Sequence, residues 1–362
     1  MPTHKDFPLF KTKTDGVSRT FDLNDPAQRR EYFDLKAGKE LAIIRDYLKD
    51  RTFVAYLLGK KGAGKGTYSK LFMEAVAGSV KVAHVSVGDI VRTATKAIEN
   101  GGESEAKLRS FMEKYYRGFL PLGEAIAALA SRSTKTLVPT EFILALIKWE
   151  LHEGEKKTVF LDGFPRDLDQ VAYSIFFRDL IGYREDPDFF VFINLPETVI
   201  DARMQSRVVC PKCQTPRNLS LMPTKNVGYD EELKEFFLHC DNPECGGARM
   251  VTKEGDNQGI EAIRGRMDKD EEVMTKIMAL QGVDKVLIRN TVPVDSAKDF
   301  VDEYEITPGY IHKFDEQTKT VTTKEEPWVI TDDDGVPSYS LLPPPVALSM
   351  IKQIAQILEK QR

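Results

Sequence analysis

The sequence predicts an α/β fold: a parallel sheet covered by helices on both faces. Three observations carry that reading. Short apolar runs recur at Phe53–Leu58, Val82–Val87, Thr158–Leu161 and Phe189–Leu195, helix-patterned stretches separate them, and a glycine-rich turn directly follows the first run. Continuous apolar runs suit strands buried on both sides, and connections long enough to hold a helix imply right-handed parallel crossovers.

Residues 1–50 read as a polar, charged extension with turn signals at Asp15-Gly16 and Asp25-Pro26 and a helix over Gln28–Lys49. The core is expected over 51–207, with helices at Lys65–Val76, Glu105–Tyr116 and Glu141–Glu153. From about 208 to 252 the pattern breaks into short polar segments that contain every cysteine, which marks a small inserted domain. Helical periodicity resumes at Ile260, within a segment 253–362 that completes the core. Beyond Ile288, Val292–Asp295, Tyr304–Thr307 and Trp328–Thr331 all resemble strands, and which of them joins the main sheet stays open. Asp332-Asp333-Asp334-Gly335 is a turn inside an insertion at about 299–340, and Pro343-Pro344-Pro345 opens a last helix through Val346–Leu358. No internal repeat is visible.

With 362 residues, 41% hydrophobic and 30% charged, the chain can bury a large core and is not a disordered tail. A net charge of −5 supplies no basic excess to coat nucleic acid or anionic lipid. The first residues lack a basic start with an apolar run, and no apolar stretch reaches the roughly 18 residues of a membrane span. The expectation is a soluble, cytoplasmic protein with neither nucleic acid nor membrane as partner. Four cysteines, all between Cys210 and Cys245, are too few and too local for a disulfide framework. Cys210-x2-Cys213 and Cys240-x4-Cys245 would instead supply four thiolates to a tetrahedral structural Zn²⁺, a closed site that staples a fold and does not catalyse. His239 stands next to them as a substitute ligand.

Gly59-Lys60-Lys61-Gly62-Ala63-Gly64-Lys65-Gly66-Thr67 ends the first strand and opens a helix, the context of a phosphate-binding loop. Glycines let backbone N–H groups converge on phosphate oxygens, the helix N-terminus adds partial positive charge, and Lys65 reaches the outer phosphates. The general pattern has Ser or Thr directly after the lysine, whereas Gly66 intervenes here before Thr67.

Further segments are His84-Val-Ser-Val-Gly-Asp-Ile-Val-Arg92, Asp162-Gly-Phe-Pro-Arg166 with Gln170, and Arg203-x3-Arg207. With the Gly-Lys-Gly-Thr loop they resemble the adenylate kinases of the nucleoside monophosphate kinase group, in family order between Phe53 and Met267. The resemblance implies a P-loop sheet, a helical AMP-binding insertion at about 88–137 and a zinc-ribbon-like lid. It also implies reversible phosphoryl transfer from ATP to AMP, giving two ADP, with Mg²⁺.

On the family pattern Lys65, Arg92, Arg166, Arg203, Arg207 and Arg266 would be catalytic. Gly59, Gly62, Ala63, Gly64, Lys65, Gly66, Thr67, Arg203 and Arg207 would bind ATP. AMP would meet Val87, Arg92, Leu137, Val138, Gly163, Arg166, Gln170 and Arg266, with Gln170 on the adenine. Asp162 would face Mg²⁺ through water, and Asp89 is either a second such carboxylate or a helix N-cap or first-turn acid. ATP, AMP and ADP are the implied partners of an expected monomer whose terminal extensions are candidate interfaces.

Several positions depart from the pattern. Val87 replaces a common threonine, Lys60 and Lys61 replace a small residue and proline, and Cys240-x4-Cys245 is wider than the usual spacing. Lys253-Glu254-Gly255-Asp256-Asn257 stands where an arginine before an acidic pair is usual, so Arg249, Lys253, Lys60 or Lys61 are substitutes for one clamp. Two alternatives stay open: a kinase for another nucleoside monophosphate, and a catalytically weak nucleotide sensor of the same fold.

Overall fold

The computed structural model describes residues 6–14, 16, 19–76, 82–130, 138–152, 155–252 and 256–361. Asp25 accepts a 2.8 Å bond from the Gln28 amide and Pro26 takes the first helical position, so α1 (Pro26–Tyr47) starts there. The core continues through β1 (Val54–Leu58), α2 (Lys65–Val76) and β2 (Val82–Ser86). Ser86 caps α3 (Val87–Asn100) by accepting from the Asp89 amide at 3.3 Å, so Val87 opens a helix and does not close the strand. There follow α4 (Gly102–Tyr115), α5 (Leu122–Ala130), α6 (Thr140–His152), β3 (Thr158–Asp162), α7 (Leu168–Ile181), β4 (Asp188–Asn194) and α8 (Glu197–Gln205).

The cysteine-bearing insertion holds β5 (Arg207–Val209), β6 (Pro216–Asn218), β7 (Val227–Asp230), β8 (Glu235–Leu238) and β9 (Val251–Thr252). A 3₁₀ stretch (Asp256–Ile263) leads into α9 (Arg264–Met278), β10 (Asp284–Arg289), β11 (Thr291–Pro293) and α10 (Val294–Phe300). The chain closes with β12 (Pro308–Asp315), β13 (Thr320–Pro327), β14 (Val329–Thr331), β15 (Pro337–Ser340) and α11 (Pro343–Lys360).

The main sheet has the order β10-β4-β1-β3-β2, every pairing parallel. Alternate residues of β1 feed two cores, as the pleat requires. Ala55 and Leu57 face Phe33, Leu41, Phe72, Ile351 and Ile354 of α1, α2 and α11, whereas Val54, Tyr56 and Leu58 face Ile90, Leu108, Ile147 and Phe177 on the other side. The register Leu57↔Asp162 sets the end of β3 beside the turn after β1. That crevice, at the carboxyl ends of central strands, is where α/β sheets of this kind bind ligands.

The strand that completes the sheet is β10, and none of the three candidates read from sequence. Val292–Asp295 contributes to β11 and Trp328–Thr331 to β14, both in a separate antiparallel sheet of order β11-β15-β14. Tyr304–Thr307 is not a strand: Glu303–Glu305 is a 3₁₀ turn in which Asp302 and Glu305 form a capping box.

Both extensions brace the core. Thr12 and Lys13 donate their amides to the Phe300 carbonyl at 2.9 Å. Glu305, fully buried, accepts from Lys36 Nζ at 2.8 Å, Tyr32 Oη at 2.6 Å, Thr12 Oγ1 at 2.5 Å and the Asp302 amide at 2.8 Å. A charge without water needs this degree of satisfaction, and here one carboxylate ties the N-terminal extension, α1 and the C-terminal insertion together. Trp328 and Tyr339 pack against the same core.

The β12–β13 hairpin leaves this core and reaches the cysteine-bearing domain. The Tyr310 amide donates to the Ser220 carbonyl at 2.8 Å, His312 Nε2 lies 2.9 Å from the Leu219 carbonyl, and Phe314 stacks on Tyr229 with centroids 4.3 Å apart. Lys319 pairs with Glu231 at 2.5 Å. The inserted domain is therefore held at its own hinge and again by a strap from the C-terminal insertion. No helix among the described residues is long and apolar enough to cross a membrane.

Candidate functional site

The turn after β1 packs too closely for side chains. A Cβ at Gly59 would meet the Ile193 carbonyl at 3.1 Å, and Gly64, at φ +89°, would press on the Tyr68 ring at 3.2 Å. The loop then delivers Lys65 as the first residue of α2. Lys65 Nζ donates to the Gly59 carbonyl at 2.7 Å and stands 3.9 Å from Asp162 Oδ1. Burial lowers the Lys65 ammonium and the nearby Arg266 and Arg166 add to the effect, while Asp162 and Asp270 oppose it.

Gly59, Lys65, Gly163, Arg166, Arg266 and Asp270 line one cavity at the carboxyl ends of β1 and β3. Arg166 is lowered by burial and by Arg266, with Arg92 adding repulsion, and its buried Nε has no hydrogen-bond partner. Three cations thus crowd a small space beside two carboxylates, Asp162 and Asp270, which leaves an excess of positive charge that suits an anion. Asp270, four residues beyond Arg266 on α9, joins the site without having a motif of its own. In the charged run Met267-Asp268-Lys269-Asp270-Glu271-Glu272 it looks like one more solvated acid; only the fold aims it inward.

The other expected residues lie in defined places. Arg92, exposed on α3, pairs with Asp89, so Asp89 is a first-turn acid behind the Ser86 cap and Asp162 is the carboxylate beside Lys65. Gln170 is buried on α7: its Oε1 accepts from the Arg166 amide at 2.9 Å and its Nε2 donates to Thr140 Oγ1 at 3.4 Å. Val87 is buried at the start of α3, and Thr67 is exposed on the first turn of α2. Arg203 is lowered by burial, which Tyr68 opposes through its hydroxyl, and Arg207 opens β5 where the inserted domain begins; neither lines the Lys65 cavity. Val138 is partly buried beside the second core, whereas Thr136, Leu137 and Lys253 lie outside the described residues.

Two proposed substitutes for the altered clamp are engaged elsewhere. Arg249 pairs with Asp230 at 2.7 Å and covers the Phe237 ring. Lys60 sits among Glu197 at 2.9 Å, Asp333 at 3.7 Å and Glu271 at 4.0 Å. Burial alone would lower the Lys60 ammonium, but these acids raise it overall, so the lysine stays charged and pins the phosphate loop. Asp333 also accepts from the Glu197 amide at 2.9 Å, which brings the insertion turn to the rim of the site.

In the inserted domain the four cysteine sulfurs lie within 4.8 Å of one another. Zinc–sulfur bonds of about 2.3 Å place the corners of a tetrahedron about 3.8 Å apart, and the Cys213 and Cys240 sulfurs are 3.7 Å apart. The Cys213 thiol is lowered to about 6 by its hydrogen bonding with the side chain and backbone of Thr215. Cys245 is pushed up to about 12 by burial and by the neighbouring thiols. The donor set is therefore compatible with zinc, whose charge would let all four ionise together. His239 is not part of this cluster, and its Nδ1 lies 2.8 Å from the Gly247 carbonyl.

Adenylate kinases match across most of their own length. Those of Thermotoga neapolitana and Thermotoga petrophila are 31% identical over 192 and 216 residues, which cover 74% and 79% of those proteins and 52% and 59% of this chain. The chain belongs to the adenylate kinase family. The adenylate kinase of Clostridium acetobutylicum is 28% identical over 252 residues, spanning 97% of that protein and 65% of this chain. No protein-family model matches. As a member of this family the chain is a nucleoside monophosphate kinase, and its parallel sheet with helices on both faces is the P-loop kinase fold.

Proposed function

We propose that the protein catalyses reversible phosphoryl transfer from Mg-ATP to AMP, giving two ADP. The observation that carries this reading is the convergence of Lys65, Arg166 and Arg266 on one cavity beside Asp162, at the end of the phosphate loop. Phosphoryl transfer needs little covalent help, so catalysis is positioning plus neutralisation of charge on phosphate oxygens. Lys65 would hold the β- and γ-phosphates with the loop amides. Arg166 and Arg266 would neutralise the transferring group, Arg92 would swing from Asp89 to the acceptor phosphate, and Arg203 and Arg207 would act from the lid side. Asp162 would orient water around Mg²⁺, which supplies charge neutralisation between the phosphates when bound.

Gln170 fixes the Arg166 backbone and would present its amide to adenine. Val87, buried where the family resemblance leads one to expect threonine, favours testing other acceptors. A zinc-stapled lid from about 208 to 252 would close over ATP and exclude water.

The test is an acceptor panel. With Mg-ATP and, separately, AMP, GMP, CMP and UMP, chromatography should show diphosphate formed chiefly with AMP. Preference for another monophosphate would replace the acceptor assignment, and ATP binding with no transfer to any acceptor would establish the sensor reading instead.

A further inference from the structure

Asp270 is the one acid that α9 sends into the cation-lined cavity. It follows Arg266 by one helical turn, so both side chains leave the same face. The Lys61 backbone N–H faces its carboxylate and helps to lower it, while its Oδ2 is buried without a hydrogen-bond partner. Burial raises this carboxyl, and Lys65, Arg266 and Arg166 pull it back down. The Lys61 amide is itself a departure, because a proline at that position, as the family resemblance leads one to expect, would have no N–H to give.

A phosphate oxygen entering this cavity would meet a loop amide, a lysine and two arginines. Asp270 meets the same set. We propose that the Asp270 carboxylate is an internal stand-in for a nucleotide phosphate, seated among Lys65, Arg166 and Arg266 in the free protein and displaced from them when phosphate binds. This rests on reading the cavity as the phosphate site. The carboxylate offsets part of the charge of Lys65, Arg166 and Arg266 while the site is empty of nucleotide, and it opposes every incoming anion until it withdraws. It is a positioning residue, since it acts on the loop and on neighbouring cations and not on the transferred group.

The probe is inorganic tripolyphosphate without Mg²⁺, titrated calorimetrically into the full-length wild type and into Asp270→Asn, Asp270→Ser and Asp270→Glu, with melting curves to verify folding. Removing one like charge several ångströms from a phosphate in a partly hydrated cavity should tighten binding about tenfold in the Asn and Ser variants. The gain should shrink with added salt, and Asp270→Glu should show none. Unchanged or weaker binding in both neutral variants would overturn the proposal. So would a loss of Mg-ATP affinity in Asp270→Asn that excess Mg²⁺ restores, because Asp270 would then be a metal ligand. The readout is independent of turnover. Tighter binding in a protein that makes no ADP would retire the kinase assignment and keep this one, and ADP formation without the gain would do the reverse.

Discussion

Replacing Lys36 with alanine should cost far more than a surface lysine does. The ammonium is 1% exposed and reaches Glu305, 0% exposed, at 2.8 Å and Asp302 at 2.7 Å. It also lies 5.0 Å from the Tyr32 ring centroid and 5.5 Å from that of Tyr304. Lys36→Ala leaves Glu305 buried with only neutral donors and with Asp302 as a nearby like charge. Breaking a buried pair from one side costs about 3–5 kcal/mol, chiefly because the abandoned charge keeps its desolvation penalty. For a chain this long that is a fall in melting temperature of about 4–7 °C. The paired change Lys36→Met with Glu305→Gln removes both charges and should recover most of the loss. Urea titration of wild type, Lys36→Met, Glu305→Gln and the double variant as a double-mutant cycle, with Lys36→Ala beside them, measures this. A single-variant loss below about 1 kcal/mol, or a double variant no better than Lys36→Ala, would refute the reasoning.

Three further outcomes follow from the same structure. Burial and Glu305 hold the Tyr32 hydroxyl well above its usual range, and burial with Glu305 and Asp302 raises Tyr304. An unfolded tyrosine loses its proton near about pH 10 while these two keep theirs. Their contribution is therefore complete below that pH and fades as pH climbs through the folded values, a slope that Tyr32→Phe should reduce in alkaline urea titrations. Elemental analysis should find one zinc per chain, and chelation should abolish hydrogen-exchange protection in 207–252 while the main sheet stays protected; metal-free protein with a protected lid would contradict the thiolate assignment. Phe314→Ala deletes the stack on Tyr229, worth about 0.5–1.5 kcal/mol, and should speed exchange across β7 and β8 with the core unaffected. Unaltered exchange there would show that the strap does not hold the lid.

The strands β1, β3 and β4 were legible because burial on both faces writes itself as continuous apolar sequence. β10 was not: Asp284-Lys285-Val286-Leu287-Ile288-Arg289 lies at the sheet edge, where only Val286 and Ile288 are fully buried and the charged ends mask the run. The hairpin β12–β13 was hidden for a related reason, since most of its residues stay exposed and its aromatic contacts are with the lid rather than the core. In the site, Lys65, Asp162 and Arg166 announced themselves through local spacing around strand ends. Asp270 and Glu305 could not, because their roles come from partners far along the chain: Glu305 is 269 positions from Lys36. Lys60 was visible as an anomaly, but its acids arrive from α8, α9 and the insertion turn, which sequence separation conceals.

On the proposed function, the cavity around Lys65 transfers a phosphoryl group between adenine nucleotides. The most direct measurement is the stoichiometry of nucleotides after incubating wild type and Lys65→Ala with Mg-ATP and AMP, quantified by chromatography. The account predicts two ADP for each ATP consumed in wild type, the same equilibrium approached from ADP alone, and a rate reduced by at least about 100-fold in a folded Lys65→Ala, the scale set by loss of one preorganised charge. ADP formation undiminished in that variant, or ATP consumed with release of free phosphate and AMP left untouched, would contradict it.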